Sequence, residues 1–116
     1  MNKPTRFYSK KQEDSVAKAV GGKRTANSGA TTFSKGDVRT DEWLIECKTV
    51  TQHKKSFSIK EEWLTKNRDE AFAMNKYYHA LAFNFGPNEQ NYYVVDEKTF
   101  KQMKEALADY GSGTST

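Results

Sequence analysis

A carboxylate and an ammonium group stand two residues apart in the segment 43–48, Trp-Leu-Ile-Glu-Cys-Lys. Its aromatic and β-branched side chains, preceded by polar residues, predict a β-strand. Successive side chains of a strand point to opposite faces, so Glu46 and Lys48 share one face while Cys47 points to the other. Asp37 precedes this strand and reaches the same place if the chain between them forms a hairpin. The pattern predicts two acids and a lysine gathered at one site.

Carboxylate oxygens are the ligands that Mg²⁺ and Mn²⁺ prefer, and Mg²⁺ keeps several waters, so two or three acids suffice to bind it. We therefore predict a divalent-metal site formed by Asp37, Glu46 and the backbone carbonyl of Cys47, with Glu13 as a further ligand. Lys48 would orient a water molecule or stabilise negative charge as it develops on a phosphoryl group. The alternative is an ordinary solvent-facing salt bridge between Glu46 and Lys48, because this spacing is common on strands.

Glu13 belongs to the first predicted helix, residues 9–20. Ser9 and Gln12 have the spacing of a capping box, and a glycine pair follows the helix. Glu13 falls on the apolar stripe that contains Val16, and a carboxylate aimed at a core costs free energy unless it is paired or binds a metal. The alternative is that Glu13 only interacts favourably with the helix dipole.

The remaining elements follow from periodicity and turn residues. A second helix is predicted over 59–75, with Ser58 and Glu61 at capping-box spacing, and a last helix follows Asp96. Its apolar stripe is expected to face inward and comprises Phe100, Met103, Leu107 and Tyr110. Strands are predicted near 36–39, 43–50, 79–85 and 91–95. This order predicts an α/β fold, a small mixed sheet flanked by helices, with strands 43–50 and 79–85 as parallel neighbours.

The chain of 116 residues has the length of one domain, here residues 1–110, with a basic arm over 1–8 and a flexible polar tail over 111–116. It has one cysteine, no apolar run long enough for a membrane span and no apolar leader, so we expect a cytoplasmic protein.

Charge is distributed unevenly along the chain. Residues 1–60 hold 13 Lys and Arg against 6 Asp and Glu, whereas residues 61–116 hold 6 against 9. Such asymmetry favours a polyanionic partner, with nucleic acid the first expectation. The expected phosphate contacts are Lys23, Arg24, Lys35, Arg39 and Lys60.

Glu13 in a helix, Ser28-Gly29, Gly36-Asp37 and Glu46-Cys47-Lys48 together resemble the PD-(D/E)XK nuclease superfamily. Within it, the chain is most similar to the archaeal and phage Holliday junction resolvases. The resemblance covers residues 9–85. Gly36 stands where the superfamily name has proline, and the acid after it is kept.

The resemblance implies a restriction-endonuclease-like core, α-β-β-β-α-β, and a Mg²⁺-dependent endonuclease that cuts four-way DNA junctions to leave 5′-phosphates, with Mn²⁺ able to substitute. Asp37 and Glu46 would bind the metal, Lys48 would be the catalytic lysine and Glu13 would assist. Ser28 would lie near the scissile phosphate. The resemblance also implies a homodimer that cuts two strands.

Two alternatives stay open. One is another nuclease on the same core, of the restriction or repair type. The other is a basic DNA-binding module without catalytic activity, in which the carboxylates are only structural.

Overall fold

The structure, a computed structural model, describes residues 5–25 and 37–114, with side chains as far as Gly111. In chain order the elements are α1 (Thr5–Val20), β1 (Lys23–Arg24), β2 (Asp37–Arg39), β3 (Trp43–Lys48), α2 (Glu61–Ala73), β4 (Tyr78–Phe83), β5 (Tyr92–Val94) and α3 (Glu97–Thr114). The sites predicted at Ser28, Lys35 and Gly36 lie outside the described residues.

The strands form one five-stranded mixed sheet in the order β1-β2-β3-β4-β5. β3 and β4 are parallel, and the other neighbouring pairs are antiparallel. The parallel pair flanks α2 in the chain, because parallel strands need a crossover connection. The predicted mixed α/β class and the parallel pair are therefore confirmed, and the predicted strand positions agree to within about two residues.

The two long strands alternate between two buried layers. Val38, Ile45, Ala80 and Ala82 form the main apolar cluster with Val16 of α1. The side chains between them, including Asp37 and Glu46, point to the other face, where α2 packs on β3 and β4. The sheet is thus sandwiched between α1 and α2, and the predicted acids lie on the α2 side.

Both predicted capping boxes are wrong. α1 begins at Thr5, so residues 5–8 of the predicted basic arm are helical, and the Ser9 hydroxyl donates to the Thr5 carbonyl within the helix at 3.2 Å. α2 begins at Glu61, and its N-cap residue Lys60 makes no side-chain cap hydrogen bond. In both cases the helix starts at a different residue from the one the local spacing indicates, so the predicted cap side chain is out of position.

The last helix starts as predicted, since the Thr99 backbone N–H donates to Asp96 Oδ1 at 2.8 Å. It ends later than predicted: residues 111–114, assigned to a flexible tail, continue α3. Its apolar stripe is exposed instead of buried. No described helix is both long enough and apolar enough to cross a membrane.

Candidate active site

Asp37 and Glu46 face each other across two antiparallel strands. They are register partners between β2 and β3, and directly opposed residues of such a pair have Cβ atoms about 5 Å apart. The hairpin that brings them together is closed by Thr40, whose backbone N–H donates to the Trp43 carbonyl at 3.0 Å. The side-chain hydroxyl of Thr40 accepts from the Trp43 N–H at 2.9 Å. The expectation that Asp37 folds back beside the strand of Glu46 is thus confirmed.

Both carboxyl groups are buried, Asp37 at 1% exposure and Glu46 at 5%. Both oxygens of Asp37 and Oε2 of Glu46 lie out of solvent, and the part of the chain that the structure describes provides no hydrogen-bond donor to them. Buried polar atoms are nearly always hydrogen-bonded, because an unpaired one costs about 1–3 kcal/mol and a charged one more. Three such oxygens on two adjacent side chains therefore lower the stability of the folded protein, and this loss needs a physical explanation.

Electrostatics at the pair oppose ionisation of both acids. Burial, followed by the charges of Glu46 and Glu70, raises the pKa of Asp37 to about 8. Burial also raises the pKa of Glu46, while Lys48 and Lys66 act to lower it. Two acids that share a desolvated site resist carrying two negative charges, and a nearby cation relieves this repulsion.

Lys48 lies on the same face as Glu46, as strand alternation predicts, and both line an open groove of about 770 Å³ beside α2. The Lys48 ammonium lies over the Trp63 ring, 4.4 Å from its centroid. A cation at this distance is attracted to the negative face of the indole. The contact leaves the ammonium in the groove that Glu46 also lines.

α2 contributes two charged side chains to the site that were not predicted from the sequence. Glu70 and Lys66 line the same groove and form an i,i+4 ion pair, with Nζ and Oε1 3.6 Å apart. The side chain of Glu70 is only 13% exposed. The signal was available in the sequence, because Glu70 lies seven residues after Trp63 and so on the same helix face. It is a carboxylate on an inward face, the same feature that selected Glu13.

Glu13 does not join the pair. It lies on α1, which covers the opposite face of the sheet, and its carboxylate Oε1 is 3.4 Å from Arg24 Nε. Burial raises its pKa, and Arg24 acts against that shift. Within residues 5–25 and 37–114, no three His, Cys, Asp or Glu side chains form a group able to hold an ion. The predicted convergence of three carboxylates is thus reduced to two.

Cys47 points away from the acids, as alternation requires, and packs against the apolar cluster under α1. Burial raises the pKa of its thiol, and a buried protonated thiol behaves as a small hydrophobic side chain. The backbone carbonyl of Cys47 stays a predicted metal ligand.

A second residue missed from the sequence is Gln12. It is buried on α1, where Glu13 was expected to be the inward polar residue. Its Nε2 donates to the Lys48 carbonyl at 2.8 Å and is 3.3 Å from Asn91 Oδ1. Gln12 thereby ties α1 to the end of β3 that carries Lys48. Its inward position was not predicted, because a glutamine at a helix start was interpreted as a capping residue.

The predicted phosphate contacts fall in different places. Arg24 is engaged with α1, since Nη1 donates to Asp14 Oδ1 at 3.0 Å besides its ion pair with Glu13. Lys23 and Arg39 are exposed register partners on β1 and β2 and line a separate groove. Of the predicted contacts that the structure describes, Lys60 is the one near the candidate site, with Nζ 5.8 Å from the Trp63 ring centroid.

Asp37 and Glu46 carry the hard oxygen donors that divalent cations prefer. Three of these oxygens meet no hydrogen-bond donor within residues 5–25 and 37–111. A cation bound there would pair with these oxygens and favour their charged forms. Two carboxylates are enough for Mg²⁺, which retains water in its remaining positions.

No protein-family model, curated protein or solved structure matches this chain.

Proposed function

We propose that this chain is a Mg²⁺-dependent DNA endonuclease of the PD-(D/E)XK type that cuts four-way junctions. The observation that carries the proposal is the buried pair Asp37 and Glu46, with three carboxylate oxygens that meet no donor among the described residues, and with Lys48 in the same groove as Glu46. Removing these oxygens from water costs free energy. A purely structural acid pair does not offset this cost, whereas a bound cation would.

The order of the elements supports the same proposal. The first six, α1 to β4, have the order α-β-β-β-α-β that the resemblance implies for a restriction-endonuclease-like core. The acid of the second strand and the E-x-K segment of the third are cross-strand neighbours, so the two parts of the motif meet in space. The fold and the motif therefore support each other.

Asp37 and Glu46 would hold the metal, with the Cys47 carbonyl as a proposed third donor. When bound, Mg²⁺ or Mn²⁺ supplies Lewis-acid polarisation of the phosphoryl group and lowers the pKa of a water ligand. Lys48 contributes a positive charge at the groove, where it can donate a hydrogen bond to a phosphate oxygen as negative charge develops there. Trp63 restricts this ammonium to the groove through its cation–π contact.

The substrate is inferred from the distribution of charge and from the resemblance to the junction resolvases. The basic balance lies in residues 1–60, and phosphate contacts position DNA without reading its sequence. Recognition of branched shape is what the resemblance to the junction resolvases implies. Cutting two strands of one junction symmetrically needs two such sites, which a homodimer would supply.

The test is cleavage of a synthetic four-way junction, a linear duplex of the same sequence and a single strand, each with Mg²⁺, with Mn²⁺ and with EDTA. The proposal expects metal-dependent nicks near the branch point with 5′-phosphate ends. Glu46→Gln serves as the inactive variant and Glu62→Gln, an exposed acid of the same groove, as the matched control.

Each other outcome identifies an alternative. Equal cutting of linear duplex would indicate a restriction or repair type of nuclease. Junction binding without cleavage in either metal would overturn the enzyme proposal and leave a DNA-binding module.

A further inference from the structure

A row of side chains crosses the sheet on the face that carries the acid pair. Lys48 of β3 is the register partner of Phe83 of β4, and Phe83 is the register partner of Tyr92 of β5. Alternation along β3 places Lys48 on the same face as Glu46, two residues away. Two strand spacings separate Lys48 from Tyr92, so the row is about 10 Å long. The face of the acid pair thus continues across the sheet to β5, its edge strand.

Aromatic rings pack along this row. The Phe83 ring stacks on Phe57, with ring centroids 4.9 Å apart, and on Tyr92, with centroids 5.8 Å apart. The Phe57 centroid lies 6.2 Å from that of Trp63, which lines the groove of the candidate active site. None of these four side chains is buried, and Tyr92 is 45% exposed. Together they form an aromatic surface that leads from the groove to the edge of the sheet.

Positive charge accompanies the aromatic surface. Residues 47–60 hold four lysines and no Asp or Glu. Two of these lysines, Lys48 and Lys60, place their ammonium groups 4.4 Å and 5.8 Å from the Trp63 ring centroid. The other two are exposed in the loop before α2. A complementary partner therefore combines negative charge with flat apolar faces.

A single strand of nucleic acid has both properties. Its unpaired bases expose faces that stack on aromatic side chains, and its phosphates are attracted to lysines. In a duplex the neighbouring base pairs cover those faces, so only the backbone and the base edges in the grooves are accessible. A row about 10 Å long matches about three nucleotides at about 3.4 Å each. The aromatic surface thus favours unpaired over paired DNA.

We propose that the aromatic surface binds an unpaired DNA strand, with Tyr92 stacking on a base and Lys60 pairing with a phosphate at the Trp63 end. The identity of the polymer rests on the proposed function, to which this surface adds a substrate requirement. Unpaired nucleotides would lie beside the phosphodiester that the groove holds. A junction with unpaired bases at its branch point is therefore the preferred substrate.

The first experiment titrates the full chain with oligothymidylate in EDTA, which removes the proposed metal. Trp43→Phe leaves Trp63 as the only tryptophan, and the fluorescence of Trp63 should be quenched as the strand binds. The same strand annealed to oligoadenylate should quench it far less at equal salt concentration. Equal quenching by single strand and duplex, or quenching by neither, would overturn the proposal.

The second experiment removes one ring from the surface. Tyr92→Ala should weaken oligothymidylate binding at least about fivefold, the lower end of the effect of losing one stacked base. Tyr93→Ala is the matched control, because Tyr93 is 42% exposed and lies on the opposite face as the register partner of Ala82. Its affinity for the strand should be unchanged. Tyr92→Phe keeps the ring and should keep the affinity.

Circular dichroism checks that the three variants fold. Equal losses of affinity in Tyr92→Ala and Tyr93→Ala, or no loss in either, would show that this face does not bind the strand.

Cleavage in Mg²⁺ separates this proposal from the proposed function. The native protein should cut a junction with unpaired thymidines at its branch point faster than a fully paired one, and Tyr92→Ala should lose that preference. Junction cleavage without single-strand binding would retain the nuclease and overturn the aromatic surface as a binding site. Single-strand binding that depends on Tyr92, without cleavage in Mg²⁺ or Mn²⁺, would overturn the nuclease and retain the binding site.

Discussion

At the scale of single residues, the distinguishing feature of the site is a pair of buried carboxyl groups. Three oxygens of Asp37 and Glu46 are removed from solvent and gain no hydrogen bond from the described residues. The Lys48 ammonium lies at the groove, over the Trp63 ring. Burial raises the pKa of both acids, and the charge of Glu46 adds to the shift at Asp37. Buried acids with raised pKa values are typical of functional sites. Here geometry and electrostatics indicate the same pair.

Lys48→Ala should lower junction cleavage by about 10²–10³-fold, the usual cost of removing one transition-state donor. Junction affinity should change little, because many phosphate contacts share the binding free energy. Single-turnover cleavage and binding titration measure the two effects. Lys18→Ala, an exposed lysine on α1, is the control. Equal losses of binding and cleavage would make Lys48 a docking residue.

Asp37→Asn should stabilise the metal-free protein. The folded-state pKa of about 8 lies above the ordinary value of 3.8, so ionisation of Asp37 favours the unfolded state. The loss of stability begins near pH 4, grows as the pH rises and is complete above about pH 8. At about 1.4 kcal/mol for each pKa unit, the full effect is on the order of 6 kcal/mol.

Denaturant unfolding of the native protein and Asp37→Asn between pH 4 and pH 9 measures this difference. The gap between them should widen with pH in EDTA and shrink when Mn²⁺ is added. A gap independent of pH would show that Asp37 ionises freely in the folded state.

At the scale of elements, β3 is the organising strand. It carries the two charged site residues on one face and core residues on the other, and Gln12 of α1 holds the backbone at its end. α2 closes the charged face with Trp63, Lys66 and Glu70. α3 stands outside this arrangement and depends on its own cap and on whatever covers its stripe.

Asp96→Ala should fray α3 and cost about 1 kcal/mol near neutral pH, the typical value of a lost N-cap. The Thr99 backbone hydrogen bond lowers the pKa of Asp96, so its stabilisation is present above the unfolded-state pKa and is lost as the pH falls through the lowered one. Helicity and unfolding at pH 7 and pH 3 measure this. Asp96→Asn, which keeps a capping oxygen, should retain most of the stability at pH 7. A full loss in Asp96→Asn would locate the effect elsewhere.

At the scale of the whole molecule, the basic half of the sequence contributes α1 and the first three strands. Its exposed pair Lys23 and Arg39 lies at the sheet edge on β1 and β2. A polyanion bound along this edge would meet their positive charge in a groove separate from the one that holds Glu46 and Lys48.

Junction binding should therefore weaken as salt rises, with the logarithm of the association constant falling linearly with the logarithm of salt concentration. Replacing both Lys23 and Arg39 with alanine should reduce the slope by about two if each contacts a phosphate. Arg68→Ala, an exposed arginine of α2, should leave it unchanged. A slope unaffected by the double replacement would place the DNA elsewhere.

The sequence alone determined those features that depend on local periodicity. Strand alternation placed Glu46 and Lys48 on one face and Cys47 on the other, and the order of apolar segments gave a mixed sheet with β3 and β4 parallel. The cap at Asp96 also followed from local spacing. Each of these features has its physical cause in a few residues that are close together in the sequence.

The tertiary structure determined the features that depend on which helices and strands pack against each other. Glu13 and Gln12 are adjacent in sequence, yet only the angle of α1 on the sheet determines that Gln12 is inward and that Glu13 pairs with Arg24. Glu70 reaches the acid pair because α2 crosses that face. The stripe of α3 has the periodicity of a buried face. Periodicity does not identify what covers that face, because burial depends on contacts between distant parts of a chain or between chains.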